Sequence, residues 1–267
     1  MNLKEITKEV NRIARETGTF IREERAKFTL SDVEVKGLNS LVSYVDKEAE
    51  KRIVKELREL VPNASIIGEE DDYSDSGEYT WIIDPLDGTT NFVHGIPTCA
   101  VSIALMKGKE HVMGTVYEVS LDECFYAWKD GGAWLNEKPI HVSRQTDFSK
   151  SLIATGFPYY DFRYIQQYLD LLSELMKHTH GLRRLGSAAT DLAYVACGRF
   201  EGFYEYGLSP WDVAAGAIII REAGGAVSDF SDGEDFVFGK EIIADNNHIH
   251  QSLQQLIEKH IPEVSSK

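Results

Sequence analysis

Acidic residues with oxygen-ligand chemistry recur in this chain at the ends of short apolar runs. Trp81-Ile82-Ile83 reads as a buried strand and runs straight into Asp84-Pro85-Leu86-Asp87-Gly88-Thr89-Thr90-Asn91-Phe92. The strand is expected over 79–84, because Tyr79-Thr80 is β-prone and Pro85 cannot donate to a ladder. Asp87-Gly88 is a turn dipeptide, and Thr89-Thr90 is suited to cap a short helix. Two carboxylates therefore stand at a strand's end, beside a turn and a helix start. Hard divalent cations take oxygen ligands, and phosphate oxygens take N–H groups at a helix start. The same residues also fit an ordinary strand–turn–helix link, in which Asp-Pro and Asp-Gly only turn the chain. Acid elsewhere favours a site. Ile66-Ile67-Gly68-Glu69-Glu70 is a second short strand ending in carboxylates, and Ser209-Pro210-Trp211-Asp212 opens a late helix with one more.

Glu69, Asp84, Asp87 and Asp212 thus lie where side chains from separate segments converge. Magnesium prefers octahedral oxygen coordination and keeps several waters, so a few carboxylates and a main-chain carbonyl suffice. Asp84 is the candidate to bridge two ions. Each acid also has a plainer role. Asp212 forms a capping-box-like start with Ser209, with Pro210 in the first turn. His178-x-His180 and His248-x-His250 lack the further ligands zinc would need and read as surface residues. His94 lies close enough to the acidic motif to support it. The chain contains neither a Gly-x-Ser-x-Gly elbow nor a Walker A loop.

The elements that must position these groups fall into two styles. An amphipathic helix over 3–27 carries Ile6, Val10, Ile13, Thr17, Phe20 and Ile21 on one face, a core stripe. Residues 32–40 show no clear period. A second helix over 43–61, striped by Val45, Ala49, Ile53, Leu57 and Leu60, ends at Pro62-Asn63; Asp46 near its start complements the helix dipole. Strands follow at 64–68, 79–84, 100–107, 111–119 and 122–128, the last three an antiparallel run. Between the first two, residues 71–77 read as a solvated acidic loop. Strand and helix then alternate: strand 151–155, helix 161–178, strand 182–185, helix 187–197, strand 201–205, helix 210–223, strands 225–229 and 241–244, helix 246–260. Gly198 and Gly224-Gly225 suit helix C′ positions. The polar stretch 144–150 marks an expected boundary between a half over 1–146 and a half over 147–267.

With 267 residues and 43% hydrophobic content the chain can bury a large core. A net charge of −15 argues against nucleic acid or an anionic membrane as partner. It would also repel an anionic substrate unless bound cations invert the local field. Cys99, Cys124 and Cys197 are odd in number and widely spaced, as in a reduced cytoplasmic protein. The start lacks a signal-like apolar run, and no uncharged stretch spans a bilayer.

Taken together, Gly68-Glu69-Glu70, Asp84 to Phe92, Gly186-Ser187-Ala188-Ala189 and Trp211-Asp212-Val213-Ala214-Ala215-Gly216 resemble the inositol monophosphatase family of magnesium-dependent, lithium-sensitive phosphatases. The segments appear in family order and span most of the chain. The resemblance implies a mixed α and β fold, a layered α-β-α-β-α sandwich with an antiparallel sheet in the first half and a mixed sheet in the second. It implies one Mg2+ held by Glu69, Asp84 and the Leu86 carbonyl, a second by Asp84, Asp87 and Asp212, and a weaker third at Glu69. Thr89, with Asp46 behind it, would orient the attacking water, and N–H groups of Gly88 and Thr89 would cradle the phosphate. Gly186, Ser187, Ala188 and Glu205 would meet the substrate's alcohol part, although Ser187 also fits a plain N-cap and Glu205 a surface acid. Lys36 would sit on a loop near the site, and Glu70 would support it or face solvent. The family commonly forms homodimers, and some bacterial members have partners in the transcription machinery. Thr90-Asn91-Phe92, Gly156-Phe157-Pro158 and Glu205 resemble the branch acting on inositol 1-phosphate, with sugar bisphosphates, histidinol phosphate and nucleotide 2′- or 3′-phosphates as alternatives. Two rivals stand beside this reading. Asp84-x-x-Asp87-Gly88-Thr89 is one residue off the signature of aspartyl-phosphate phosphatases. A catalytically weak regulatory module could also keep the same fold.

Overall fold

Alternation along the central strands decides how the layers stack, since successive side chains leave opposite faces of a sheet. The computed structural model of the protein describes residues 1–28, 33–37, 40–71, 73, 77–159 and 161–261, and of 33–37 and 40–43 the backbone alone. In chain order the elements are α1 (Leu3–Arg25), β1 (Val33–Gly37), β2 (Ser40–Ser43), α2 (Tyr44–Leu60), β3 (Ser65–Gly68), β4 (Tyr79–Asp87), α3 (Thr89–His94), β5 (Ala100–Lys107), β6 (Glu110–Glu118), β7 (Glu123–Trp128), β8 (Ala133–Leu135), β9 (Lys138–Ile140), β10 (Leu152–Thr155), α4 (Ile165–His178), β11 (Gly181–Arg183), α5 (Ala188–Ala196), β12 (Gly202–Tyr206), α6 (Pro210–Glu222), β13 (Ala226–Ser228), β14 (Glu241–Asp245) and α7 (His250–His260).

Strands β3 to β9 form one sheet in chain order, with β3 and β4 parallel and the following neighbours antiparallel. On β5, Val101, Ile103 and Leu105 join the apolar cluster under α1 and α2, while Ala100, Ala104 and Met106 join the cluster around α5 and α6. A strand covered on both faces must be apolar throughout, which is why its sequence shows no polar alternation. The second sheet has the order β11-β10-β12-β14-β13, parallel across β11, β10 and β12 and antiparallel beyond. Helices α5 and α6 pack against both sheets, and α4 and α7 cover the outer face of the second. The stack is the expected five-layer α-β-α-β-α sandwich.

The middle layer is tight because its helices are poor in large side chains. In α6 Ala214, Ala215, Gly216 and Ala217 lie side by side, all buried. A Cβ on Gly216 would come within 2.5 Å of the Leu192 Cβ, and one on Gly114 within 2.6 Å of the Ala215 carbonyl. Any side chain at 216 forces α5 and α6 apart, a strain that overpacked cores resolve at ~1–3 kcal/mol. The α1 stripe is core as expected, with Val10, Ile13 and Ile21 no more than 2% exposed.

Four local expectations need correction. Residues 33–37 and 40–43, where 32–40 shows no clear period in the sequence, pair as the antiparallel strands β1 and β2. β4 runs on past Pro85 to Asp87. α4 begins at Ile165 instead of 161. α7 begins at His250 instead of 246, because Asn246 Oδ1 accepts the N–H groups of His248 and Ile249 and Asp245 Oδ1 accepts that of Asn247. Such side-chain acceptors compete with the helix for its first donors. Residues 72 and 74–76 of the acidic loop lie outside the described residues. Among the described residues no helix is long and apolar enough to cross a membrane.

Candidate active site

In a regular strand, residues three apart face opposite ways. Asp84 and Asp87 nevertheless share a face, because β4 bulges between them. Asp84 pairs with Ser102 and Asp87 with Ala100, so Pro85 and Leu86 together oppose Val101. The extra residue restores the side-chain phase. A proline suits this place, since a bulge leaves a donor unpaired and Pro85 has none. The N–H of Leu86 donates to Asp84 Oδ1 at 2.9 Å. Asp212 arrives from the first turn of α6, where its Oδ2 accepts the Ser209 N–H at 2.6 Å. The cap and the site share one side chain. Carboxylate oxygens of Asp84, Asp87 and Asp212 lie within 4.8 Å of one another. Glu69, just past β3, lines the same cleft and adds its charge to the crowd around Asp84.

This crowding has an electrostatic signature. Burial first, then Glu69, Asp87 and Asp212, pushes the Asp84 carboxyl well above the usual range. Burial and then Asp87 do the same to Asp212. Burial also lifts Asp87, to about 6, against the Ser187 hydroxyl, the Ala189 N–H and Arg184, which favour its charge. Like charges held this close disfavour ionisation unless a cation joins them. The donors are carboxylates with the Leu86 carbonyl nearby, an all-oxygen set that suits Mg2+ and not the nitrogen and sulfur preference of zinc.

Thr89 Oγ1 lies 3.0 Å from Asp46 Oδ1 and 3.0 Å from the Leu86 carbonyl. Asp46 is buried in the first turn of α2, so its placement goes beyond a dipole-complementing surface acid. The cap of α3 is Gly88 and not a threonine: at φ 93° it adopts the left-handed region. A Cβ there would come within 3.0 Å of the Thr98 carbonyl and 3.2 Å of that of Gly186. Only glycine lets the backbone of the motif approach the loop before α5 this closely. Asn91 fastens the approach, its Nδ2 donating at 2.8 Å to both the Thr98 and Leu185 carbonyls.

Across the cleft lies the N-terminus of α5. Ser187 caps it by accepting the Thr190 N–H at 3.3 Å, and the same hydroxyl donates to Asp87 Oδ2 at 2.7 Å. The Ala189 N–H donates to that oxygen as well, at 2.7 Å. The cap reading of Ser187 therefore holds, and the same side chain also ties α5 to Asp87. Glu205, on β12, faces the cleft with Gly186, Ser187 and Ala188. Burial pushes its carboxyl up to about 8, with Arg184 opposing and Asp87 reinforcing. The cleft between these walls has a volume of about 610 Å³.

The structure thus gathers Glu69, Asp84, Leu86, Asp87, Gly88, Thr89, Gly186, Ser187, Ala188, Glu205 and Asp212 around one cleft, with Asp46 behind Thr89. His94 is exposed at the end of α3 and does not line it. His250 is not a simple surface residue: Nδ1 lies 2.6 Å from Asp245 Oδ2 and Nε2 3.2 Å from Asp232 Oδ1. The side chain of Lys36 lies outside the described residues. Glu70 contributes its backbone N–H to Glu50.

Glu50, Asp191 and Arg184 escape sequence reasoning. Glu50 is fully buried in α2; Oε2 accepts the Glu70 N–H at 3.0 Å, and Oε1 the Asp71 N–H and the Tyr73 hydroxyl, each at 3.0 Å. It grips the turn that carries Glu69. A signal existed: Asp46 and Glu50, four apart, border the apolar stripe of α2, where solvated charge is not expected. Asp191 likewise is a single acid among Ala188, Ala189, Leu192, Ala193 and Val195. Arg184 stands over Phe157 and Tyr159, 5.4 and 5.3 Å from their ring centres.

The same architecture and sequence recur in known proteins. The profile of the Inositol monophosphatase family matches residues 2–266. The Nus factor SuhB of Pseudomonas aeruginosa is 42% identical over 259 residues, covering 94% of this chain and 95% of that protein. The inositol-1-monophosphatase of Mesorhizobium japonicum is 41% identical over 229 residues, covering 85% and 86%. The crystal structure of the extragenic suppressor protein suhB from Bartonella henselae superposes with a TM-score of 0.88 at 39% identity, over 94% of this chain and 97% of that one. The chain belongs to the inositol monophosphatase family.

Proposed function

We propose that this protein is a Mg2+-dependent phosphomonoesterase that hydrolyses inositol 1-phosphate or a related polyol phosphate, with water as the nucleophile. The observation that carries the reading is the convergence of Asp84, Asp87 and Asp212 within 4.8 Å, in a cleft that two helix N-termini also face. Glu69, Asp84, the Leu86 carbonyl, Asp87 and Asp212 would hold two ions, with Asp84 common to both and a third beside Glu69. When bound, such ions lower the pKa of water, neutralise the leaving oxygen and draw the anionic ester into an acidic protein.

The chain's own residues do the rest. Thr89 Oγ1 takes a proton from the attacking water as its own proton passes to Asp46, 3.0 Å away, and Asp46 returns that proton to solvent once the alcohol has left. The water oxygen bonds to phosphorus, the bond to the alcohol oxygen breaks, and the alcohol leaves with a proton from solvent. N–H groups of Gly88 and Thr89 hold the phosphate, and the α5 terminus and Glu205 hold the alcohol. No covalent phosphoenzyme is needed. Cation ligands then come mostly from 1–146, and alcohol contacts from 147–267. A cytoplasmic homodimer is part of the same reading.

The test is phosphate release from inositol 1-phosphate and a panel of sugar, polyol and nucleotide phosphates, with Mg2+ varied. Release that requires Mg2+, is inhibited by Li+ and vanishes in Glu69→Gln supports the proposal. No release above the Glu69→Gln control on any ester favours a second reading, a regulatory module bound to the transcription machinery. The name Nus factor, carried by a 42% identical relative, is the observation behind that alternative.

A further inference from the structure

The wall of the cleft away from the cation candidates holds a carboxyl that this reaction does not use. Asp191 lies at the end of the first turn of α5, is 1% exposed and lines the cleft near Glu205. Its Oδ1 is buried without a hydrogen-bond partner, and among the described residues no other carboxylate oxygen is in that state. Burial, then Glu205 and Asp87, oppose its ionisation, and Arg184 favours it.

Asp191 is an acid in the first turn of α5, but it does not cap the terminus by hydrogen bonding. The Ala189 N–H is taken by Asp87, the Thr190 N–H by the Ser187 hydroxyl and the Asp191 N–H by the Ser187 carbonyl. Packing does not explain it either, since its neighbours on α5 other than Thr190 are mostly buried apolar residues beside which an aliphatic side chain would sit without penalty. Glu205 is fixed close by: a Cβ on Gly156 would fall 1.9 Å from its Oε1, so that wall is shaped to the carboxyl. Two carboxyls thus line the alcohol end of the cleft, and Asp191 Oδ1 is buried there without a donor within the protein.

Resting on the phosphomonoesterase reading, we infer that Asp191 is a specificity-determining residue: with Glu205 it accepts hydrogen bonds from hydroxyls of the leaving alcohol, so the cleft selects polyhydroxylated alcohols over aryl or simple alkyl ones. A site built around an acceptor discriminates against esters that leave the acceptor unmatched.

The experiment compares the full chain, Asp191→Ala and Asp191→Asn on inositol 1-phosphate and p-nitrophenyl phosphate, with saturating Mg2+ and thermal melts alongside. For Asp191→Ala the ratio of kcat/KM between the two esters is expected to fall about ten-fold, chiefly through KM for inositol 1-phosphate. Asp191→Asn, which keeps the shape and one acceptor, is expected to fall less, and neither variant to melt below the parent. An unchanged ratio, or equal losses on both esters, overturns the assignment of Asp191 and leaves the phosphatase reading standing. A parent protein idle on both esters removes the phosphatase reading, and the inference with it. If Asp191→Ala fails to fold, the ratio in Asp191→Asn decides: no fall overturns the inference.

Discussion

At the acidic end of the cleft the carboxylates of Asp84, Asp87 and Asp212 each accept a backbone N–H, from Leu86, Ala189 and Ser209. At the other end Asp191 Oδ1 accepts none, and Glu205 is set in place by its contact with Gly156. The contrast separates two tasks. On the proposed reading, groups that would meet a cation are aimed beforehand by main-chain donors, which cannot swing away when charge arrives. Groups that would recognise an alcohol on that reading are left with acceptor capacity for a ligand to fill. The first wall is fixed by bulge and caps, the second by packing.

Breaking the first wall should have the largest effect. Asp84→Asn removes the charge shared by both proposed cation positions and is expected to lower kcat/KM by at least ~10³-fold. Its melting temperature is expected to stay level or rise without added cation, because a buried carboxyl crowded by three acids is relieved. Activity near the parent's at saturating Mg2+ contradicts the assignment. Loosening the support behind that wall comes next. Glu50→Ala leaves the N–H groups of Glu70 and Asp71 without their acceptor. The Mg2+ concentration for half-activation is expected to rise about 10–100-fold, as for other groups that orient a ligand from behind. A lower melting point with an unchanged Mg2+ requirement reduces Glu50 to a structural role. The smallest effect belongs to the second wall. Gly156→Ala drives a methyl group against Glu205 and is expected to raise KM for inositol 1-phosphate about ten-fold, and that for an aryl phosphate less. Equal changes on both esters sever Glu205 from alcohol recognition.

The same contrast explains what could be read from the sequence. The acidic wall is carried by short contiguous motifs, and its residues were nameable because Asp84, Asp87, Gly88 and Thr89 adjoin one another. Its geometry was not. Asp-x-x-Asp on a strand points two ways, and only the bulge at Pro85-Leu86, set by pairing with β5, brings the two together. Layer order followed from the apolar runs of β5 and β6 and the stripes of α1 and α2, which are local signals. The later start of α7 was hidden because Asn246 and Asp245 bind backbone donors in a way that depends on tertiary placement. Glu50 and Asp191 stayed invisible for a related reason. A charge beside a helix stripe looks solvated until the element that covers it is known, and here the covers are the turn after Glu69 and the wall around Glu205.

The most direct measurement is anomalous diffraction from crystals soaked in Mn2+, a scattering stand-in for Mg2+ with the same taste for oxygen. The expected result is strong peaks coordinated by Asp84 together with Glu69, Asp87 and Asp212, lost in Asp84→Asn crystals. Well-ordered crystals of an active protein with no manganese beside Asp84 would contradict the claim that these four acids meet around hard cations.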